Sequence, residues 1–153
     1  MHFRDIITPI FKPLADRAGL DFQELRSDIF QITGRNFILR IRRGTGHRKD
    51  ALITLARDDP ARGDLDNLHG EIGLGVIAEY HGLVTPEQDL SSAESFRATL
   101  QEVAELTEKI CVPYLSGENS DYEQIRAFVA RKIEAAGKHE FRFPPNVREE
   151  WIP

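Results

Sequence analysis

Residues 30–55 read FQITGRNFILRIRRGTGHRKDALITL, and this stretch decides the fold. Apolar side chains stand at alternate positions: Phe30 and Ile32, then Phe37, Leu39 and Ile41, then Ala51, Ile53 and Leu55. A period of two is the signature of strands with one buried and one wetter face. Ser27-Asp28, Gly34-Arg35-Asn36 and Gly44-Thr45-Gly46 interrupt the alternation with turn chemistry. Short breaks between alternating runs predict antiparallel neighbours, and Phe22 to Arg26 adds a first strand to the meander.

Upstream, Ile6, Ile7, Ile10, Phe11, Leu14 and Ala18 recur at helical spacing, and Gly19 supplies a stop. Pro9 and Pro13 fall inside this pattern. A proline beyond the first turn removes a donor and clashes with the turn before it, so the spacing predicts a helix that is kinked or that starts at Thr8-Pro9.

Downstream of Arg57 the polar run Asp58-Asp59-Pro60-Ala61-Arg62-Gly63-Asp64 reads as a loop, with no convincing strand after it. Residues 72–81 fit either a short helix or a buried strand. Ser91 with Glu94 forms a candidate capping box ahead of the stripe Phe96, Leu100, Val103, Thr107, Ile110, Tyr114, which Pro113 bends or ends. Ser120 with Glu123 opens another helix, with Tyr122, Ile125, Val129 and Ile133 on one face and Gly137 at its end. Strands early and helices late predict an α+β fold: an N-terminal helix, an antiparallel meander of about four strands, then two or three helices packed on one face. The expected organisation is a single domain over residues 1–137 and an extended tail over 138–153, which carries Pro144-Pro145, Phe141, Phe143 and Trp151.

A chain of 153 residues, 41% apolar and 29% charged, can bury a core without disulfides or metals. No apolar run approaches the roughly 20 residues that cross a bilayer, and the first residues carry no signal-peptide pattern; both features predict a cytoplasmic protein. Cys111 is the single cysteine, which excludes an intrachain disulfide and any thiolate metal cluster. His69-Gly70-Glu71 matches half of a zinc deaminase site, but the two further thiolates that chemistry needs are absent. Gly70-x-x-Gly73-x-Gly75 lacks the spacing of a phosphate loop and reads as a loop entering a helix. Neither a nucleophile elbow nor a cysteine in a reactive context is present, and Cys111 beside Ile110 reads as a small buried residue. No catalytic residue, metal or cofactor is expected, and the chain reads as non-enzymatic.

Charge is uneven. Residues 1–57 hold 11 Lys+Arg and 6 Asp+Glu, a balance of +5, against a net charge of −5 for the whole chain. Residues 58–90 set eight acids against Arg62 alone. Asp58, Asp59, Asp64, Asp66 and Glu71, with Glu118 and Asp121 near the later turn, are the candidate acidic surface for a basic protein partner. Arg40, Arg42, Arg43, Arg48 and Lys49 decorate one hairpin and form the alternative, a phosphate-binding ribbon for nucleic acid. An acidic chain with no aromatic residues between those arginines favours their pairing with its own carboxylates.

The order of elements is a helix with Pro9 and Pro13 ending at Gly19-Leu20, short strands to Arg57, an acidic loop, and two capped helices flanking Pro113-Tyr114-Leu115. In this order the chain resembles several families of small bacterial immunity proteins. The resemblance implies a module that neutralises a toxin by direct binding, without catalysis, cofactor or membrane. A further reading is an acidic, chaperone-like homodimer holding a secreted partner.

Overall fold

The computed structural model describes residues 2–44, 49–58 and 70–138. The chain divides into two compact units, Met1–Asn119 and Ser120–Pro153.

The first unit opens with α1 (Phe3–Ala18), which runs unbroken through both prolines and starts well before Thr8. Pro9 and Pro13 lie on the exposed side, while Phe3, Ile6, Ile7, Phe11, Leu14 and Ala15 form the buried stripe. Each interior proline costs a helix about 3 kcal/mol, and the five large buried side chains, Phe3, Ile6, Ile7, Phe11 and Leu14, offset that at about 2 kcal/mol each. Gly19 ends the helix in the left-handed region, at φ 68°, and its N–H returns to the Ala15 and Asp16 carbonyls.

Five antiparallel strands follow, β1 (Asp21–Arg26), β2 (Ile29–Thr33), β3 (Phe37–Arg43), β4 (Ala51–Arg57) and β5 (Ile72–Gly73), in sequential order across one sheet. The register aligns Phe22, Ile32, Leu39, Leu55 and Ile72 in a row across all five. That row lies on the core face. Phe30 of β2 meets Phe3 of α1 at a ring separation of 5.9 Å, and Phe37 of β3 meets Tyr114 edge-on at 6.2 Å. Phe30, Ile32, Leu39, Ile41 and Leu55 are fully buried.

The region after Arg57 differs from its sequence reading first in that β5 is a strand. Residues 72–81 are neither helix nor strand throughout: Ile72–Gly73 pairs with β4, and Gly73 then caps α2 (Leu74–Tyr80). A two-residue strand has too few positions for alternation to register.

Helix α3 (Ala93–Ile110) buries Phe96, Leu100, Val103, Ala104, Thr107 and Ile110. Its cap is Ser92, whose Oγ accepts the Ser95 N–H at 3.0 Å, so the capping box read at Ser91 and Glu94 is displaced by one residue. Ser91 instead donates its N–H to Asp89 Oδ1 at 2.9 Å. Pro113 falls in the first turn of a separate short helix, α4 (Val112–Leu115), where a missing donor costs nothing. Gly34, in the β2–β3 turn, lies against α4: a Cβ there would stand 2.5 Å from the Leu115 carbonyl oxygen.

The second unit contains α5 (Tyr122–Lys138), which begins after Asp121; the Asp121 carbonyl accepts the Ile125 N–H at 3.1 Å. Lys132 Nζ stands 5.6 Å from the Phe128 ring centre.

Candidate partner-binding surface

Alternation sends Arg40 and Arg42 to the face of the sheet opposite Leu39 and Ile41, as their positions in β3 require. There the register sets Arg40 between Gln31 of β2 and Thr54 of β4. Arg40 Nε donates to Gln31 Oε1 at 3.2 Å, and Gln31 Nε2 donates to Thr33 Oγ1 at 3.2 Å. Glu71, immediately before β5, accepts from Arg42 Nη2 on one oxygen and from Thr54 Oγ1 at 3.3 Å on the other. Arg40 is 2% exposed and Glu71 is 7% exposed.

These positions correct two surface assignments. Glu71 is a buried partner of Arg42, not part of an acidic docking surface. Arg40 is buried and Arg42 is ion-paired, so neither presents a guanidinium to a phosphate backbone. The expected pairing of hairpin arginines with the chain's own acids holds for Arg42. Arg43 and Lys49 are exposed, on the other side of the hairpin base, and Arg48 lies outside the described residues.

The remaining acidic candidates are Asp58, Asp59, Asp64, Asp66, Glu118 and Asp121. Asp58 is half-buried just past β4, with its N–H on the Asn36 carbonyl at 2.8 Å. Asp59, Asp64 and Asp66 lie outside the described residues, as does His69. Glu118 is exposed in the turn after α4, and Asp121 is half-buried in the second unit.

The acidic surface that does form is on α3. With Phe96, Leu100, Val103 and Thr107 turned inward, helical geometry turns Glu94, Glu102 and Glu105 outward, and all three are exposed. Glu102 and Glu105 stand three residues apart on neighbouring positions of the same face, and neither has an ion pair among the described residues. Glu108, one turn on, is already committed: Arg17 of α1 donates to both of its oxygens, at 3.1 and 3.2 Å. Helical spacing of Glu94, Glu102 and Glu105 was the signal for this row, but the apolar stripe of the same helix draws the eye first.

Cys111 is fully buried, and that burial pushes its thiol up to about 12. His81 Nε2 and Tyr114 Oη share a hydrogen bond of 3.1 Å. Among the described residues no three His, Cys, Asp or Glu side chains are grouped to hold a metal ion, and no helix is long and apolar enough to cross a membrane.

Fold and surface together define an α+β protein: a five-stranded antiparallel meander with α1 and α4 against its core face, and an acidic row on the exposed side of α3. The chain matches no protein-family model, no curated protein and no solved structure.

Proposed function

We propose that this chain is a non-enzymatic protein-binding module of immunity type, which neutralises a bacterial toxin in the cytoplasm by docking on a basic face of it. The observation that carries the reading is the pair Glu102 and Glu105, exposed on one face of α3 and without an ion pair among the described residues. Like charges at this spacing destabilise a helix by about 0.2–0.5 kcal/mol, and a basic partner converts that repulsion into attraction. Glu94 on the same face and the exposed Glu118 extend the negative field. Such a field raises the rate of encounter with a cationic protein and adds selectivity against acidic ones. Across residues 70–119 nine acids stand against Arg97 and Lys109. The burial of Arg40 and the pairing of Arg42 weigh against the nucleic-acid reading.

Co-expression with the toxin encoded beside it tests the proposal. The chain is expected to protect the cell, and Glu102→Lys with Glu105→Lys to abolish protection while leaving the fold intact. Association measured with the purified pair should slow as salt is raised. Failure to protect, or protection and association that ignore both the double variant and salt, removes the proposal.

A further inference from the structure

A cavity of about 330 Å3 opens where the end of β3, α1 and the start of α3 converge. Strand alternation explains one wall. Arg43 follows Ile41 by two residues and so stands on the core face of the sheet, at the point where the apolar row gives out. Lys49, on the returning side of the hairpin, joins it. The floor is apolar, made of Phe3, Ile6, Leu90 and Phe96. Leu90 is 46% exposed, one of three large apolar side chains that remain so among the described residues.

The charge of this cavity runs against that of the protein. With a net charge of −5 overall, the chain lines it with two cations and, among the described residues, no carboxylate. Neither Arg43 nor Lys49 has an ion pair among the described residues. The N-terminal end of α3, at Ser92 and Ala93, completes the lining and adds the positive end of an 18-residue helix. Two cations at the rim of an apolar recess match a molecule with an anionic head and a hydrocarbon body, and the volume lies at the lower end of the range for small-molecule pockets.

We propose that this cavity binds a medium-chain organic carboxylate. The head accepts charge-assisted hydrogen bonds from Arg43 and Lys49, and the chain covers Phe3, Ile6, Leu90 and Phe96, displacing water from them. This site does not depend on the acidic row of α3 or on a toxin partner.

Calorimetric titration of the full chain with decanoate, below its micelle concentration, tests the assignment against two controls that each lack one half of the ligand. Acetate keeps the head and decanol keeps the body; each should bind at least about tenfold more weakly than decanoate. Arg43→Gln with Lys49→Gln should lose about tenfold or more in affinity, and Leu90→Gln severalfold. Both changes sit at exposed positions, and an unchanged circular dichroism spectrum and Tm confirm an intact fold. Absence of decanoate binding, decanol binding as tightly as decanoate, or an unaffected double variant overturns the proposal.

Discussion

Arg42 of β3 and Glu71 at the threshold of β5 form an ion pair across 29 residues of sequence, with side chains 20% and 9% exposed. It joins the middle of the sheet to its last and shortest strand, which has only two paired positions of its own. Arg42→Ala leaves a buried carboxylate without its cation, an error that costs about 3 kcal/mol. Replacing both partners by apolar residues, Arg42→Met with Glu71→Leu, should recover most of that loss, because no charge is then left unpaired. Urea unfolding of the single variant and the double variant measures both effects.

Gly34 is required by proximity. A methyl group there would meet the Leu115 carbonyl oxygen at 2.5 Å, its Cα at 2.7 Å and its Cβ at 2.8 Å, and two of those three atoms are backbone. The same turn donates the Arg35 N–H to the Leu115 carbonyl at 3.0 Å, so it cannot retreat without breaking that bond. Gly34→Ala should destabilise the fold by about 2 kcal/mol, and Gly73→Ala, with open space around its Cα, by much less; thermal unfolding compares them.

The cap of α3 distinguishes two adjacent serines. Ser92→Ala removes the acceptor for the Ser95 N–H and should cost about 1 kcal/mol. Ser91→Ala removes a hydroxyl that is not the cap, and its unfolding midpoint should stay within error of the parent chain.

Cys111 makes stability depend on alkaline pH. Burial pushes its thiol up to about 12 from 9.0, so on unfolding the group gains acidity. Above pH 9.0 the unfolded chain binds fewer protons than the folded one, and stability falls as pH rises from there towards 12. At pH 10 this thiol alone accounts for about 1 kcal/mol. Cys111→Ala should flatten the decline between pH 8 and pH 10 relative to the parent. The native thiol should also resist iodoacetamide until urea is added.

Much of the architecture was legible because it is written in local periodicity. The alternation from Phe30 to Leu55 set the strands and their antiparallel order, and Gly19 ended α1 where the stop was read. The stripe from Phe96 to Tyr114 covers α3 as far as Ile110, but its last member, Tyr114, lies with Pro113 in the separate helix α4. Where the reading slipped, a local rule had a near-equal competitor. Only Ser91 has a Glu three residues on, but Ser92 is the residue whose hydroxyl reaches a free N–H of the first turn, that of Ser95. Both prolines argued against a full-length α1, but the cost of a lost hydrogen bond is local and the gain from burying Phe3, Ile6 and Ile7 is not.

Spacing and composition depend on nothing distant, and they suffice for the class of fold, the faces of β3 and the excess of acid after Arg57. Which charges remain available is set by contacts between distant segments. Glu71 belongs to an acidic segment and Arg42 to a basic hairpin, yet the pairing of β4 with β5 brings them together, burying Glu71 and committing Arg42 to it. The same folding leaves Glu102 and Glu105 exposed and turns Arg43 towards an apolar recess. Charge is a property of residues, but its availability is a property of neighbours, and neighbours 29 positions apart are set by the sheet.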